Sequence, residues 1–378
     1  MIAEEASRVY GSGIPASVPG KRIYTSRQPV GVCVRPHHTV EYPAAMVTRK
    51  IPPALAAGCS VVLKSAGETP LTADALAELA QTTEIPRGVI NVVTALENTA
   101  AIGTLLSTHP RIKKLSFTSS TAVGKMLMAQ CAATLKKLSM ELGGNSPFVF
   151  FDDCKDLNKA VAGALATVFR GSGQTYVAAN RIFVQDAVYD EFARRPTEHV
   201  KEFELGYDFD DGVIHGPLIH SLAVAKVEAH VREAVARGAK VAVGGVRLPE
   251  LGCNVFCRNY VDGSEEGHGY ISRGYLWAVA ALSPFSTESE LVEMANASEV
   301  GLDGSMFSSD IDRIFRVSDS LDVGMVGANA GMISDAAAPF GGVKESRFGR
   351  DGSRYGIEDY TLLKSTTIEI SPESGTEL

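Results

Sequence analysis

The residue types able to do covalent or metal chemistry are few in this chain and poorly grouped. Six cysteines are spread over 378 residues, too few and too scattered for a disulfide framework, which fits a reducing compartment. Cys33, Cys59, Cys131 and Cys154 lie in apolar or mixed runs and read as small buried hydrophobes. Cys253 and Cys257 with His268 downstream touch on a zinc pattern, but structural zinc takes four ligands and no second pair follows, so no metal site is expected. His37 and His38 are adjacent and point apart on a strand; His215 and His220 flank the Gly216-Pro217 turn. Phosphate-cradling loops fare no better. Ser119-Ser-Thr-Ala-Val-Gly-Lys125 has serine where a Walker A loop needs its first glycine, and Gly11-Ser-Gly-Ile-Pro-Ala16 lacks a preceding strand and carries Pro15 at the helix start. No G-x-S-x-G elbow presents a serine nucleophile.

Any site must therefore be assembled by the fold, and the periodicity says which fold. Val61-Val-Leu63 predicts a strand, the segment from Thr72 to Ala80 a helix, and Val89-Ile-Asn-Val-Val93 a second strand. The alternation recurs. Leu115 to Thr118 is a strand, Thr121 to Lys137 places Val123, Met126, Leu127, Cys131 and Leu135 on one helical face, and Leu138 to Leu142 is the next strand. Such a pattern argues for a parallel sheet covered by helices, with ligands at the carboxyl ends of the strands. After Gly143-Gly144 a second α/β region follows: helix from Asp156 to Arg170, strand Arg181 to Gln185, helix Ala223 to Arg237 stopped by Gly238, and strand Lys240 to Val243. The β-prone stretch Tyr360 to Ile370 has no partner nearby in sequence, and either closes a domain or joins another subunit's sheet.

Composition narrows the partners. The formal charge is −8, from 36 Lys and Arg against 44 Asp and Glu, which leaves no electrostatic footprint for nucleic acid or an anionic membrane. The longest apolar run, Ala160 to Phe169, is about half of the roughly 20 residues that span a bilayer. Met1-Ile-Ala-Glu-Glu-Ala6 carries charge where a signal peptide needs an apolar core, so a cytoplasmic protein is expected.

Longer strings are far more specific than any short motif. Gln28-Pro-Val-Gly-Val-Cys33, Leu55-Ala-Ala-Gly-Cys-Ser-Val-Val-Leu-Lys64, Phe117-Thr-Ser-Ser-Thr-Ala-Val-Gly-Lys125, Met140-Glu-Leu-Gly-Gly-Asn145 and Pro339-Phe-Gly-Gly-Val-Lys344 occur in this order. Together they resemble the aldehyde dehydrogenase superfamily. The wording of Met46-Val-Thr-Arg-Lys50, Gly324-Met-Val-Gly327 and Tyr355-Gly-Ile-Glu-Asp-Tyr360 is most similar to its succinate-semialdehyde dehydrogenase branch. The resemblance covers nearly the whole chain, although family members carry a substantial further N-terminal portion. It implies an α/β protein of two parallel-sheet domains plus a β oligomerisation arm: a shortened Rossmann-like cofactor domain over 1–142, with an arm strand near 10–27, a catalytic domain over 143–349, and a C-terminal segment, 350–378, whose strand looks intersubunit. A homodimer acting on a small-molecule substrate, with no nucleic-acid or membrane partner, is the corresponding expectation.

In that family a cysteine thiolate attacks the aldehyde, an asparagine and a backbone N–H stabilise the oxyanion, hydride passes to NAD(P), and a glutamate activates water. Here the cysteine is gone. The family's Gly-Gln-Thr-Cys string reads Gly173-Gln-Thr-Tyr176, and a phenol of ordinary pKa about 10 is roughly 0.1% ionised at pH 7. Thr175 and Ser172 are nearby hydroxyls without a visible base. The oxyanion asparagine corresponds to Glu41 and the neighbouring tryptophan to Val40; a carboxylate there repels a developing oxyanion. The glutamate that holds the nicotinamide ribose falls at Gly274, in Gly274-Tyr-Leu-Trp-Ala278, and Trp277 stands where glycine is usual.

Other positions persist. Glu141 matches the general base, either in that role or as a retained strand-end residue. Lys64 matches the lysine that bonds the adenosine ribose, Ser120 lies near the cofactor phosphates, and Phe340 lines the cofactor side or the core. The carboxylate expected three residues after the lysine is replaced by Gly67, with Glu68 one position late; its loss favours NADP over NAD, if a dinucleotide binds. Arg49, Arg170 and Ser334 match the positions that hold the distal carboxylate of a semialdehyde, a task suited to the guanidinium fork, although ion pairs would use the same arginines. Three readings follow: a repurposed enzyme using Tyr176, Glu41 and Glu141 for proton chemistry on a carboxylated carbonyl, by NADPH-dependent reduction or without redox; an inactive binding protein; or a working semialdehyde dehydrogenase.

Overall fold

The β-α-β alternation is present in the computed structural model, which describes residues 3–36, 42–201, 204–207, 209–213, 215–248, 251–252, 254, 259–262 and 279–370. Chain contacts divide it into two compact units, Met1–Met140 with Asp335–Phe340 and Gly349–Leu378, and Glu141–Ser334 with Gly341–Phe348. In the first, strands β1 (Ser12–Pro15) and β2 (Lys21–Pro29) precede the sheet strands β3 (Val32–Pro36), β4 (Ser60–Lys64), β5 (Ile90–Val93), β6 (Ile112–Thr118) and β7 (Lys137–Glu141), alternating with helices α1 (Pro43–Ala56), α2 (Pro70–Gln81), α3 (Thr99–Thr108) and α4 (Thr121–Ala132). The sheet order is β7-β6-β3-β4-β5, and β3 runs parallel to both β4 and β6, with Cys33 opposite Val61 and Val34 opposite Leu115.

These strands are short apolar runs because helices cover both faces. Val34, Leu63, Leu115 and Phe117 are fully buried among them, and Cys33, Cys59 and Cys131 are buried small hydrophobes while Cys154 is half-buried. Helix α1 starts with proline at its first turn, where no N–H is needed, and turns Met46, Val47, Lys50, Ile51 and Ala54 inward at helical spacing. Lys50 is tolerated there because Asp351 lies 2.6 Å from its ammonium. Lys114, also buried, contacts the Ser139 hydroxyl, lies 3.9 Å from Asp359 and 4.8 Å over the Tyr360 ring, and burial brings it down to about 8. Buried cations that need these acceptors tie the returning segment around residues 351–360 to the sheet.

Helix α4 is shorter than its apolar spacing predicts. It ends at Ala132 with Gly124, Leu127 and Cys131 inward, while Met126 is exposed and Leu135 is 92% exposed. Leu135 adopts a left-handed φ of 48°, and the Lys136 ammonium donates to the carbonyls of His109 and Ile112 at 2.7 and 3.1 Å. Those bonds redirect the chain into β7, an ending that the apolar pattern does not encode.

The second unit carries β8 (Pro147–Phe150), β9 (Arg181–Gln185), β10 (Lys240–Val243), β11 (Asn259–Asp262), β12 (Val279–Phe285), β13 (Val300–Gly301), β14 (Asp303–Phe307) and β15 (Met325–Ala328), and its main sheet is ordered β10-β11-β12-β9-β8-β14-β15. Strand β13 lies outside it and pairs with β16 (Val343–Lys344), which β17 (Arg347–Phe348) follows. Helix α5 (Leu157–Val168) is capped by the Asp156 carboxylate, which accepts from the Lys159 N–H at 2.9 Å. Helices α6 (Tyr189–Lys201) and α7 (Ser221–Ala236) follow, α7 ending before Gly238 at φ 95° as its glycine predicts; then come α8 (Glu288–Asn296) and α9 (Ile311–Ser320). One core gathers Phe148, Phe150, Phe169, Phe192 and Phe307, and the other face of the sheet buries Val149, Phe151, Phe183 and Phe285.

A short α10 (Tyr355–Glu358) leads into β18 (Thr361–Glu369). Of the two expectations for this stretch, pairing within the chain is realised: β18 runs antiparallel to β2, with Thr361 opposite Pro29 and Glu369 opposite Lys21. The three-stranded arm is ordered β1-β2-β18, leaving β18 at an edge, and its residues beyond Thr361 are exposed.

Within the second unit, Asp303 opens β14 with its carboxylate against the Ser146 hydroxyl, and burial raises it to about 7 despite that bond. An acid whose folded pKa is raised keeps its proton while the unfolded chain loses it. Its contribution is therefore intact below the ordinary carboxylate pKa and is lost as pH rises through about 7. Asp303→Asn should gain thermal stability over the wild type progressively between about pH 4 and 7, then hold a constant margin above that window; differential scanning calorimetry across this range would give a pH-independent difference if the carboxyl ionises normally.

Candidate functional site

Glu141 ends β7 and has no exposed side-chain surface. Its carboxylate Oε2 lies 3.5 Å from Arg347 Nη1, whose side chain is equally buried. The approach depends on Gly341: a Cβ there would come within 2.4 Å of Arg347 Cδ, and its φ of +153° is one that side-chain-bearing residues rarely adopt. The loop after Glu141 is clamped from the same strip of chain. The Leu142 N–H donates to the Ser346 carbonyl at 2.8 Å, and the Ser346 hydroxyl donates to the Gly143 carbonyl at 2.7 Å while accepting from the Gly301 N–H at 3.0 Å. Arg181, fully buried and brought down to about 10 by desolvation, donates to the carbonyls of Asn145, Met294 and Ala295.

Against this loop lies the segment carrying Tyr176. A Cβ on Gly144 would sit 2.1 Å from the Tyr176 carbonyl oxygen, so only glycine admits this contact. Tyr176 is itself buried. Preceding it, Gly171, Ser172 and Gly173 adopt left-handed φ values of 54, 57 and 72°. Ser172 carries that strain with its hydroxyl donating to the Gly216 carbonyl at 3.2 Å, and the Gln174 side chain accepts from the Ile219 N–H at 2.9 Å. The Thr175 hydroxyl donates to the Arg170 carbonyl at 3.4 Å. Both hydroxyls beside Tyr176 are thus committed to backbone acceptors and are poorly placed as nucleophiles.

Arg170 and Ser334 do meet, in one cavity with Thr167, Thr175 and Met332. The cavity holds only about 20 Å³, room for about one water molecule, and Arg170 Nη1 lies 3.2 Å from the Met332 sulfur. Arg49, on α1 in the other unit, has its guanidinium 4.4 Å over the ring of buried Phe340. The two residues expected at the substrate and cofactor sides therefore engage each other as a cation–π pair.

The carboxyl end of β4 is rich in donors. Lys64 is buried, with no hydrogen-bond acceptor for its ammonium among the described residues, and the buried hydroxyls of Ser65 and Thr69 likewise lack partners there. Burial lowers the Lys64 pKa and the charge of Glu68 opposes that shift. Buried donors at a strand-to-helix turn fit a hydroxylated or anionic ligand such as the ribose and phosphate of a dinucleotide. Gly67 has a steric reason beside the missing carboxylate: a Cβ would come within 2.5 Å of the Leu96 side chain and 3.0 Å of its Cα. Ser120 is the N-cap of α4, accepting from the Val123 N–H at 3.5 Å. Glu41, Val40, Gly274 and Trp277 lie outside the described residues, as do Cys253, Cys257, His268 and the adjacent His37 and His38. Among the described residues no group of three metal-ligating side chains converges, and no helix is long and apolar enough to cross a membrane.

Sequence reasoning missed Arg347, Ser346 and Arg181, because their partners lie in distant segments and no spacing signals them. Ser65 and Thr69 flank Gly67 and could have been noticed as hydroxyls beside the strand-end lysine.

Comparison with known proteins agrees with the fold. The chain is 50% identical to the NADP(+) succinate-semialdehyde dehydrogenase 1 of Schizosaccharomyces pombe over 97% of its length and 73% of that protein's. It is 48% identical to a 3-sulfolactaldehyde dehydrogenase of Pseudomonas putida, over 96% and 74% of the respective chains. A crystal structure of an NADP-dependent enzyme of E. coli superposes with a TM-score of 0.94 at 46% identity, covering 97% of this chain and 76% of that one. The family model described as the aldehyde dehydrogenase family matches residues 1–366, and with the parallel sheets and strand-end loops described above it follows that this chain belongs to the aldehyde dehydrogenase family.

Proposed function

We propose that this chain binds a dinucleotide, NADP in preference to NAD, and a small carboxylated ligand, without carrying out thiol-dependent aldehyde oxidation. The observation that carries the binding half is the buried ammonium of Lys64, with the hydroxyls of Ser65 and Thr69 beside it and no acceptors for any of them among the described residues. Leaving such donors unsatisfied costs about 1–3 kcal/mol each, so a ligand with oxygen acceptors is the natural occupant. NADP supplies hydride-transfer chemistry when bound; the chain supplies the Lys64 donor and, at Gly67, no carboxylate to repel a 2′-phosphate. Relatives named for NADP(+) and for semialdehydes support the same ligand classes.

Loss of oxidation rests on the other unit. Tyr176 stands at the position where the family resemblance expects the cysteine, and its phenol is both a weak nucleophile and a poor leaving group. Glu141 has Arg347 against its carboxylate with both groups buried, so its charge is engaged by that guanidinium. Arg170 and Ser334 would hold the ligand's carboxylate, but their cavity must widen from about 20 Å³ to admit it. The cofactor-domain role of residues 1–142 and the substrate role of 143–349 form part of this proposal.

Two outcomes are expected. With NADP+ and succinate semialdehyde the chain should form no NADPH above the uncatalysed rate, and Tyr176→Cys should not restore turnover, because Glu41 remains at the oxyanion position; wild-type turnover of about 1 per second or more, ordinary for an enzyme, would refute the loss of oxidation, and such turnover in the variant would refute the role given to Glu41. The chain should also sediment as a homodimer through the open edge of β18, where Leu362 and Leu363 are exposed. Leu362→Lys with Leu363→Lys should yield monomer, and an unchanged sedimentation coefficient would place the contact elsewhere.

A further inference from the structure

At the root of the arm sheet the first unit holds a cavity of about 280 Å³. Three segments distant in sequence wall it: the N-terminal turn with Glu5, Arg8 and Tyr10, strand β2 with Arg27, and the stretch around α10 with Arg354 and Glu358. Three guanidiniums facing two carboxylates leave an excess of positive charge. Arg8 Nη1 meets Glu5 Oε1 at 2.8 Å, and Arg27 Nη2 lies 3.7 Å from Glu358 Oε1 while its Nη1 donates to the Thr361 hydroxyl at 3.3 Å. Arg354 makes no ion pair within 4.0 Å among the described residues; its Nη2 donates to the Tyr355 hydroxyl at 2.9 Å. A guanidinium has five N–H donors, so each of the three keeps most of its hydrogen-bonding capacity for a ligand. Val9 and Ile357 add apolar wall.

We propose that this cavity binds a small phosphate monoester, its phosphate held by Arg8, Arg27 and Arg354 and its organic body against Val9, Ile357 and the Tyr10 ring. Phosphate fits better than carboxylate because three acceptor oxygens engage more than one arginine fork, whereas the two of a carboxylate fill a single fork. The volume is just below the roughly 300–1,000 Å³ of ordinary ligand pockets, which limits the ligand to about a phosphorylated ring and excludes a dinucleotide. Glu5 and Glu358 compete with the phosphate for the same cations and so set its affinity. Lys64 is not in this wall, and the site stands whether or not a dinucleotide binds.

Isothermal calorimetry of the full chain with phenyl phosphate at low ionic strength tests this. Saturable binding is expected, weakened at least about tenfold by Arg354→Ala and tightened about threefold by Glu358→Gln, with benzoate at least about tenfold weaker than phenyl phosphate. The Glu358 variant preserves side-chain shape, so the sign of its effect decides the matter even where Arg354→Ala impairs folding. No saturable binding to the wild type, an unchanged affinity in a folded Arg354→Ala, no tightening in Glu358→Gln, or benzoate binding as tight as phenyl phosphate would each overturn the assignment.

Discussion

A carboxylate with no exposed surface has to be neutralised where it lies, and Glu141 meets that demand through Arg347. Much of the second unit's site follows from this pairing. Arg347 reaches Glu141 by crossing Gly341, Ser346 beside it bonds the loop at Leu142 and Gly143, and the loop then presents Gly144 to the Tyr176 carbonyl. Arg181 ties the far side of the same loop, at the Asn145 carbonyl, to the Met294 and Ala295 carbonyls of α8. The position that the family resemblance assigns to the nucleophile is therefore held rigidly, by contacts that require glycine at 144 and 341 and are indifferent to the side chain at 176.

The other unit keeps its binding features for a different reason. Its parallel strands end in a turn whose donors, on Lys64, Ser65 and Thr69, gain nothing structurally from being buried without acceptors. A protein that needed only the fold could satisfy or expose them. On the proposed function they meet a ligand at β4, and Tyr176 leaves the chain without a thiol for oxidation. Binding and chemistry depend on separate sets of contacts, so one can persist without the other.

Much of the fold was legible from periodicity because its strands are short apolar runs between helices with clear stops, as at Gly238 after α7. The end of α4 was not: Leu135 continues an apolar stripe, and only the bonds of Lys136 to His109 and Ile112 turn the chain away. The candidate positions Tyr176, Glu141 and Lys64 came from the long strings that surround them. What stayed hidden were pairings across distant segments, such as Glu141 with Arg347 and Arg49 with Phe340. A spacing rule describes one segment, whereas a buried charge finds its partner through the tertiary fold. Gly67 was legible as a missing carboxylate, but the contact with Leu96 that excludes any side chain there was not.

The central claim is that a dinucleotide binds at the end of β4 although oxidation is absent. Calorimetric titration of the full chain with NADPH, beside Lys64→Met, addresses it most directly. The account predicts saturable binding to the wild type that weakens at least about tenfold in the variant, the loss of one charge-assisted hydrogen bond. Absent binding to the wild type, or equal affinity in the two proteins, would contradict it.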